Sequence, residues 1–354
     1  MKRKSFGAML MALVMVLMTA CGGNTASENP AVTEPASAEP APEESTDTEE
    51  SPAATEEETA AQDASASEGG LVYIISPSQD NPYFKAEIMG AEDKLKELGY
   101  SVQVVSHDDD ATKQDQLYDA AIAAKAVGII SDNASADATA ASVQKAKDAG
   151  IPTVLIGREI NETGIAIAQI VSDNFQGARA GAEKFLELVG EKGNYVELTG
   201  KESDTASATR SAGYHDVLDQ YPDLVMIAQQ SANWDTAEAY SKMESIIQSN
   251  QDIQGVICGN DTMALGVVQA VKAAGLKDVI IMGFDGSNES RDAIIAGDMH
   301  ISILQQAYAN AQLGAEQMDQ FLKTGSTGQD EKQLIECLVI SSENAQNLET
   351  FKLS

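Results

Sequence analysis

The chain has 354 residues, a length that exceeds one typical domain and suits two. Its formal net charge is −32, and such acidity opposes binding to the phosphate backbone of a nucleic acid, so no nucleic-acid partner is predicted. The sequence also lacks a Walker-type loop ending in Gly-Lys-Ser/Thr, which excludes the usual phosphate cradle of an ATPase.

Residues 1–20 are typical of a signal peptide. Basic residues at 2–4 precede an apolar run over 6–20, which is shorter than the roughly 20 residues of a membrane-spanning helix; a short membrane anchor is the alternative. Cys21 follows in a context that resembles a bacterial lipobox, with Met18 where Leu is common. The pattern predicts lipidation of Cys21, which would anchor the protein to the outer face of the cell membrane, or to the periplasmic side in a two-membrane cell.

Residues 21–69 are predicted to form a disordered acidic spacer behind this anchor. The segment is rich in Ala, Pro, Glu, Ser and Thr, and it has no Lys or Arg between 22 and 67. Such a composition cannot bury enough apolar surface to offset the entropy lost on ordering. We expect it to hold the folded part of the chain away from the membrane.

From residue 71 onward, short aliphatic runs alternate with amphipathic stretches of helical periodicity, for example over 83–98. This alternation predicts βαβ units, and therefore an α/β fold with doubly wound parallel sheets. The number of units suits two lobes better than one large sheet. The predicted strands are 71–75, 101–105, 127–131, 153–156, 194–198, 224–229, 255–258, 279–282 and 300–304.

Polar and aromatic residues recur directly after these strands. Ligands of open α/β sheets bind beyond the carboxyl ends of the strands, so these residues are expected to meet at one site. Sugar hydroxyls donate to carboxylates and accept from Arg and Asn, while the C–H faces of a sugar ring pack on aromatic rings. The alternative for the Asp and Asn residues is helix capping, and for the Arg residues surface ion pairs. The candidate ligand-binding residues are Asn81, Tyr83, Phe84, Arg158, Arg210, Trp234, Asn260, Phe284, Asp285 and Gln305.

Five sequence blocks carry a resemblance to a known family. They are Asn-Pro-Tyr-Phe at 81–84, Ser-Asp-Asn at 172–174, Arg-Ser-Ala-Gly-Tyr at 210–214, Gly-Asn-Asp-Thr-Met-Ala-Leu-Gly at 259–266 and Gly-Phe-Asp-Gly at 283–286. Over residues 71–345 the chain resembles the ribose-binding-protein-like, type I periplasmic binding proteins, in a lipoprotein form. These are the sugar-binding components of ABC importers.

The resemblance implies two lobes joined by three hinge strands, one of 71–172 plus 306–333 and the other of 173–305 plus 334–345. The lobes would close on a sugar or sugar alcohol, with one aromatic ring from each lobe against the ligand and Gln305 at a hinge crossing. The loaded monomer would then dock on an ABC permease, without any cofactor. A sensor subunit that presents the ligand to a membrane kinase or chemoreceptor would use the same site and is the alternative function.

One departure from the family pattern concerns the ligand. Ribose binders of this family carry Asp-Arg after the fourth strand, whereas this chain has Gly157 followed by Arg158. The resemblance therefore argues against ordinary ribose and favours a larger ligand or a linear sugar alcohol. Asp80 or Glu159 is expected to replace the missing carboxylate.

Other functions find weaker support. A repressor core of the same fold needs a helix-turn-helix headpiece, and the lipobox and spacer occupy that place. An enzyme is not predicted, because no Gly-x-Ser-x-Gly elbow is present, although Asp261 and Asp285 could pair on a glycoside.

No metal is predicted, and the His-Asp-Asp-Asp run at 107–110 is interpreted as a helix start. Cys258 and Cys337 are expected to be buried thiols, with a disulfide as the alternative.

Overall fold

The computed structural model describes residues 69–353. The predicted signal peptide, the lipidation site Cys21 and the acidic spacer lie outside the described residues, except for Gly69 at the end of the spacer. The strands are β1 (Leu71–Ser76), β2 (Ser101–Ser106), β3 (Gly128–Ser131), β4 (Thr153–Ile156), β5 (Ala168–Ser172), β6 (Gly193–Thr199), β7 (Leu224–Ser231), β8 (Gly255–Cys258), β9 (Ile280–Met282), β10 (Ile301–Leu304), β11 (Lys332–Ile335), β12 (Leu338–Ser341), β13 (Leu348–Glu349) and β14 (Lys352–Leu353). The helices are α1 (Pro82–Glu97), α2 (Ala111–Ala123), α3 (Ala138–Asp148), α4 (Asn174–Val189), α5 (Thr205–Leu218), α6 (Thr236–Ser249), α7 (Asp261–Ala273), α8 (Asn288–Ala296) and α9 (Ala307–Thr324), with a 3-10 turn at Ala345–Asn347.

Two sheets form the cores of two lobes, which confirms the predicted α/β fold class. The first sheet has the order β11-β5-β4-β3-β1-β2, and its strand pairs are parallel. The second has the order β12-β10-β9-β8-β6-β7, and β12 runs antiparallel to β10. The central strands β3, β4, β8 and β10 are buried along their whole length, because helices cover both faces of each sheet.

Within the described residues the chain crosses between the lobes three times. It leaves the first sheet after β5, returns after β10, and leaves again between β11 and β12. The predicted boundary at residue 333 falls inside β11, which continues to Ile335. Helix α9 therefore packs on the first lobe, where it runs along α1. Gly90 permits this close approach, since a Cβ there would lie 2.3 Å from the Tyr308 carbonyl oxygen.

Helix starts place several polar side chains at the carboxyl ends of the strands. Asn81 caps α1 by accepting a hydrogen bond from the Tyr83 amide at 2.9 Å, and Pro82 occupies the first helical position. Asn260 caps α7 in the same way, accepting from the Met263 amide at 3.0 Å. The capping interpretation of these two residues is therefore observed, and it fixes where their side chains lie.

The acidic run at 107–110 starts a helix. Asp110 caps α2, and its carboxylate accepts from the amides of Thr112 and Lys113 at 2.7 and 3.1 Å. His107 lies with its Nε2 2.8 Å from the Asp132 carbonyl oxygen. Across residues 69–353 there is no group of three or more His, Cys, Asp or Glu side chains placed to hold a metal ion.

Cys258 and Cys337 are buried, and neither forms a disulfide in the part of the chain that the structure describes. Both are core residues, Cys258 at the end of β8 and Cys337 between β11 and β12. No helix within residues 69–353 combines the length and the apolar character needed to cross a membrane.

Candidate ligand-binding cleft

A cleft lies between the two lobes, at the carboxyl ends of their strands. It encloses about 340 Å³ of empty space, counting the part open to solvent. The lining residues are Asn81, Tyr83, Phe84, Gly157, Arg158, Asp204, Ala206, Arg210, Trp234, Asn260, Asp285 and Gln305.

The structure brings all of the candidate residues to this cleft except Phe284. Phe284 is fully buried, and its ring centroid lies 3.8 Å from the Arg210 guanidinium carbon. Asp285, which has a φ of +130°, lines the cleft, while the Phe284 side chain lies in the core. Phe284 thus packs against the Arg210 guanidinium and is not among the residues that line the cleft.

Arg210 is the centre of the polar wall of the second lobe. Its Nε donates to Asn174 Oδ1 at 2.7 Å, and its Nη1 donates to the Gly259 carbonyl oxygen at 2.7 Å. The Asp285 carboxylate lies 3.6 Å from Nη1 and accepts from Gln305 Nε2 at 2.7 Å. Burial raises the pKa of Asp285, and the positive charge of Arg210 opposes that rise. Charged and amide groups are therefore held rigidly at the cleft surface.

Arg158 is the centre of the first lobe's wall and bridges the cleft. Its Nη1 donates to Asp109 Oδ1 at 2.8 Å, and its Nε lies 2.9 Å from Asp204 Oδ2 of the second lobe. A second bridge joins Lys201 Nζ to Asp109 Oδ2 at 2.7 Å. These ion pairs connect the lobes directly, so the structure represents a closed form.

Aromatic rings approach the cleft from both lobes. Tyr83 and Phe84 pack edge to face with ring centroids 5.6 Å apart, and the Arg158 guanidinium lies 4.9 Å from the Phe84 ring. Trp234 is half-buried in the second lobe, and a Cβ at Gly200 would meet its ring at 2.0 Å. Each lobe thus contributes at least one aromatic ring to the cleft.

Neither residue expected to replace the missing carboxylate lines the cleft. Asp80 is exposed and accepts from the Ser78 hydroxyl at 2.9 Å, while Glu159 pairs with Lys332. Sequence reasoning instead missed Glu87 and Asp132, which lie buried behind Gly157. A sequence signal for Glu87 exists, because it follows Phe84 by three positions and so shares the apolar face of α1.

The family model for the periplasmic binding protein domain matches residues 72–327, a region that spans β1 to α9 and both lobes. The chain is similar to a D-apiose import binding protein of Actinobacillus succinogenes, with 56% identity over 288 residues that cover 81% of this chain and 93% of the relative. It is also similar to a ribose import binding protein of Bacillus subtilis, with 29% identity over 243 residues that cover 69% of this chain and 78% of the relative. Among solved structures, it is similar to an ABC transporter periplasmic solute-binding protein of Actinobacillus succinogenes with bound D-allose, with a TM-score of 0.74 and 26% identity, covering 78% of this chain and 99% of that one.

Proposed function

The chain belongs to the periplasmic binding protein domain family and is a sugar-binding protein of an ABC importer, and from that premise we propose that its ligand is D-apiose. The observation that carries the proposal is the similarity to a D-apiose import binding protein, at 56% identity over 93% of that relative. The interlobe cleft supports it, because polar side chains held in ion pairs and hydrogen bonds line it together with aromatic rings.

Different cleft residues contact different parts of the sugar. Asp285 and Asn260 accept hydrogen bonds from sugar hydroxyls, and the two guanidinium groups of Arg158 and Arg210 donate to them. Gln305, which precedes α9 at the second lobe crossing, positions Asp285 through their 2.7 Å hydrogen bond. The rings of Tyr83, Phe84 and Trp234 pack on the C–H faces of the sugar, and Asn81 lines the cleft beside them.

Ligand capture proceeds by closure of the lobes. Contacts to both lobes exist together only when the cleft is closed, so a bound sugar shifts the open–closed equilibrium toward the closed form. The permease of the importer then recognises this closed form. We also propose that the working unit is a monomer, which light scattering on the purified protein tests.

Binding is not followed by chemistry. Asp261, the carboxylate that could pair with Asp285, is buried and accepts hydrogen bonds from the Gly286 and Ser287 amides at 3.0 and 2.8 Å. Its other oxygen accepts from the Ser302 hydroxyl at 2.7 Å. Asp261 is thus a structural tie within the second lobe. Recovery of unchanged D-apiose after prolonged incubation is the expected result, and any hydrolysis or rearrangement product would overturn this assignment.

The same proposal includes the anchor at Cys21. Removal of the signal peptide leaves Cys21 at the N-terminus with its lipid, and the sugar-binding body faces outward from the cell membrane or into the periplasm. Metabolic labelling with an alkyne fatty acid is expected to mark the wild-type protein and not Cys21→Ser. Equal labelling of both would overturn the assignment of the lipid to Cys21.

Calorimetric titration tests the ligand. The unlipidated Cys21→Ser protein is titrated with D-apiose, D-ribose, D-allose, myo-inositol and glycerol. We expect a micromolar or tighter Kd for D-apiose, which corresponds to about −8 kcal/mol or better, and weaker binding of D-ribose. Tighter binding of another sugar would contradict D-apiose as the ligand. No binding of any carbohydrate would contradict the whole proposal.

A further inference from the structure

Two carboxylates are buried side by side directly behind the cleft wall of the first lobe. Glu87 on α1 and Asp132 after β3 are each 1% exposed. Within residues 69–353, these four carboxylate oxygens and the Tyr83 hydroxyl have no hydrogen-bond partner beyond one another. The nearest charged group is Arg158, whose Nε lies 3.6 Å from Asp132 Oδ1. Buried carboxyl groups are costly when their hydrogen-bonding capacity is not filled, so this cluster can accept a further polar partner.

Gly157 separates this pair from the cleft. It lines the cleft and has a φ of +68°, a conformation that favours glycine. A Cβ on residue 157 would lie 2.5 Å from Glu87 Oε1 and 2.7 Å from Asp132 Oδ2. A side chain at 157 and this carboxylate pair therefore exclude each other. Only the backbone of Gly157 therefore separates the carboxylate pair from the cleft. Gly157 is also the position where the sequence departs from the ribose-binding pattern.

We propose that Glu87 and Asp132, together with the Tyr83 hydroxyl, form a subsite that binds a sugar hydroxyl across Gly157 and that sets the sugar specificity of the cleft. The proposal rests on the proposed function, since it needs a polyhydroxylated ligand in this cleft. The three side chains come from α1 and from the end of β3, so the subsite belongs wholly to the first lobe.

The charges around the pair determine what it can bind. Burial raises the pKa of Glu87, and the negative charge of Asp132 raises it further; burial also raises the pKa of Asp132. The pair therefore retains a proton, and it offers a hydroxyl both a donor and an acceptor. A sugar hydroxyl, which itself donates and accepts, is the complementary group. The titratable and charged groups that face the pair are Tyr83, Asp109, Arg158 and Asp204.

Glu87→Leu and Glu87→Gln test the subsite, with D-apiose as the probe. Glu87→Leu removes the hydrogen bond between the sugar hydroxyl and a carboxyl group that is charged or shares a proton with Asp132. The Kd for D-apiose is therefore expected to rise about ten- to a hundredfold. The same variant is expected to unfold at a higher temperature without sugar, because an apolar side chain replaces a buried carboxyl group that has no ion-pair partner. Glu87→Gln keeps the shape of the side chain and a hydrogen-bond donor, so this variant is expected to retain most of the affinity for D-apiose.

A pH series separates the subsite from a structural role. In the wild type, loss of the shared proton at rising pH leaves two adjacent negative charges, so the affinity for D-apiose is expected to fall. Glu87→Gln and Asp132→Asn cannot form that doubly charged pair and are expected to lose this pH dependence. The matched control is Glu92→Gln on the solvent side of α1, where Glu92 pairs with Lys96 at 2.7 Å; it should follow the wild type throughout.

The outcomes are distinguishable from those of the proposed function. If the wild type binds D-apiose but Glu87→Leu binds it equally well and unfolds at a lower temperature, the pair is structural and the inference is overturned. If Glu87→Leu does not fold, the two amide variants decide: an unchanged pH dependence in both overturns the inference. A wild type that binds no sugar overturns the proposed function itself.

Discussion

Replacing Asp204 by asparagine removes one charge from the bridge that holds the lobes together. Asp204 Oδ2 lies 2.9 Å from Arg158 Nε of the other lobe, and both side chains are 7% exposed. Asp204 also caps α5 by accepting from the Ala206 amide at 2.9 Å. Asparagine is an equally good cap, so the substitution preserves α5 and changes only the charge across the cleft.

The size of the effect follows from the partners that Arg158 retains. Removal of one member of an isolated buried ion pair costs about 3–5 kcal/mol. Arg158 still donates to Asp109 at 2.8 Å and to the Asn133 carbonyl oxygen at 2.9 Å, so its charge does not become unpaired. The loss is then one charge-assisted hydrogen bond, about 1.5–3 kcal/mol, which corresponds to a Kd raised roughly ten- to 150-fold.

Calorimetry on several sugars distinguishes closure from direct contact. Because the bridge exists only when the lobes meet, Asp204→Asn should weaken every bound sugar by a similar factor. Lys201→Gln removes the more exposed bridge and should cost only about 0.2–1 kcal/mol, with a loss that shrinks at high salt. Glu202→Gln, at an exposed neighbouring position, is the control. An unchanged Kd in Asp204→Asn, or a loss confined to one sugar, would refute the closure reasoning.

Three further substitutions have defined outcomes. Trp234 is the only tryptophan and lines the cleft, so a saturating sugar is expected to change its fluorescence, and Trp234→Ala is expected to weaken binding; a constant emission would contradict its place at the ligand. Glu197, with Asp219, raises the pKa of His215 from 6.5 to about 9, so the stabilisation is complete below pH 6.5 and lost as the pH rises through about 9. His215→Gln should therefore unfold more easily than the wild type at pH 6 and equally at pH 10, and a constant difference in urea midpoint would contradict this. Tyr83→Phe removes a buried hydroxyl whose one protein partner in the described region is the Glu87 carboxyl group, so it should weaken sugar binding; an unchanged Kd would contradict a place for this hydroxyl at the ligand.

The fold is largely predictable from the sequence, because buried parallel strands are continuous apolar runs and the helices between them keep one apolar face. The edge strand β11 is not predictable in this way. It reads Lys-Gln-Leu-Ile and is only partly buried, so it lacks the apolar run of a central strand. Strand β5 has only five residues and follows an irregular segment, so its bounds are hard to define from the sequence although it is buried throughout. Both strands lie next to lobe crossings, where the chain must change direction.

The candidate site is predictable to the extent that strand ends converge on one edge. This rule brings Arg158, Asn260 and Asp285 to the cleft, although it cannot choose between neighbouring residues such as Phe284 and Asp285. It also fails for side chains that reach the site from a helix. Glu87 enters from the buried face of α1, and a Glu in a helix is ordinarily interpreted as a solvent-facing residue.

Buried polar groups with unfilled hydrogen-bonding capacity lie at the cleft or directly behind it in both lobes. In the described part of the chain, Trp234 Nε1 has no hydrogen-bond partner, and the Tyr83 hydroxyl and the carboxylates of Glu87 and Asp132 have none beyond one another. Each such group costs about 1–3 kcal/mol, which is a large share of a typical folding free energy of about 5–15 kcal/mol. A fold tolerates several of them at one place when a ligand supplies the missing partners in the closed form. A sugar that lacks a matching hydroxyl leaves the corresponding protein group without a hydrogen-bond partner. A site of this kind therefore rejects such sugars far more strongly than an apolar pocket does. The groups that destabilise the sugar-free protein are therefore the ones expected to select its sugar.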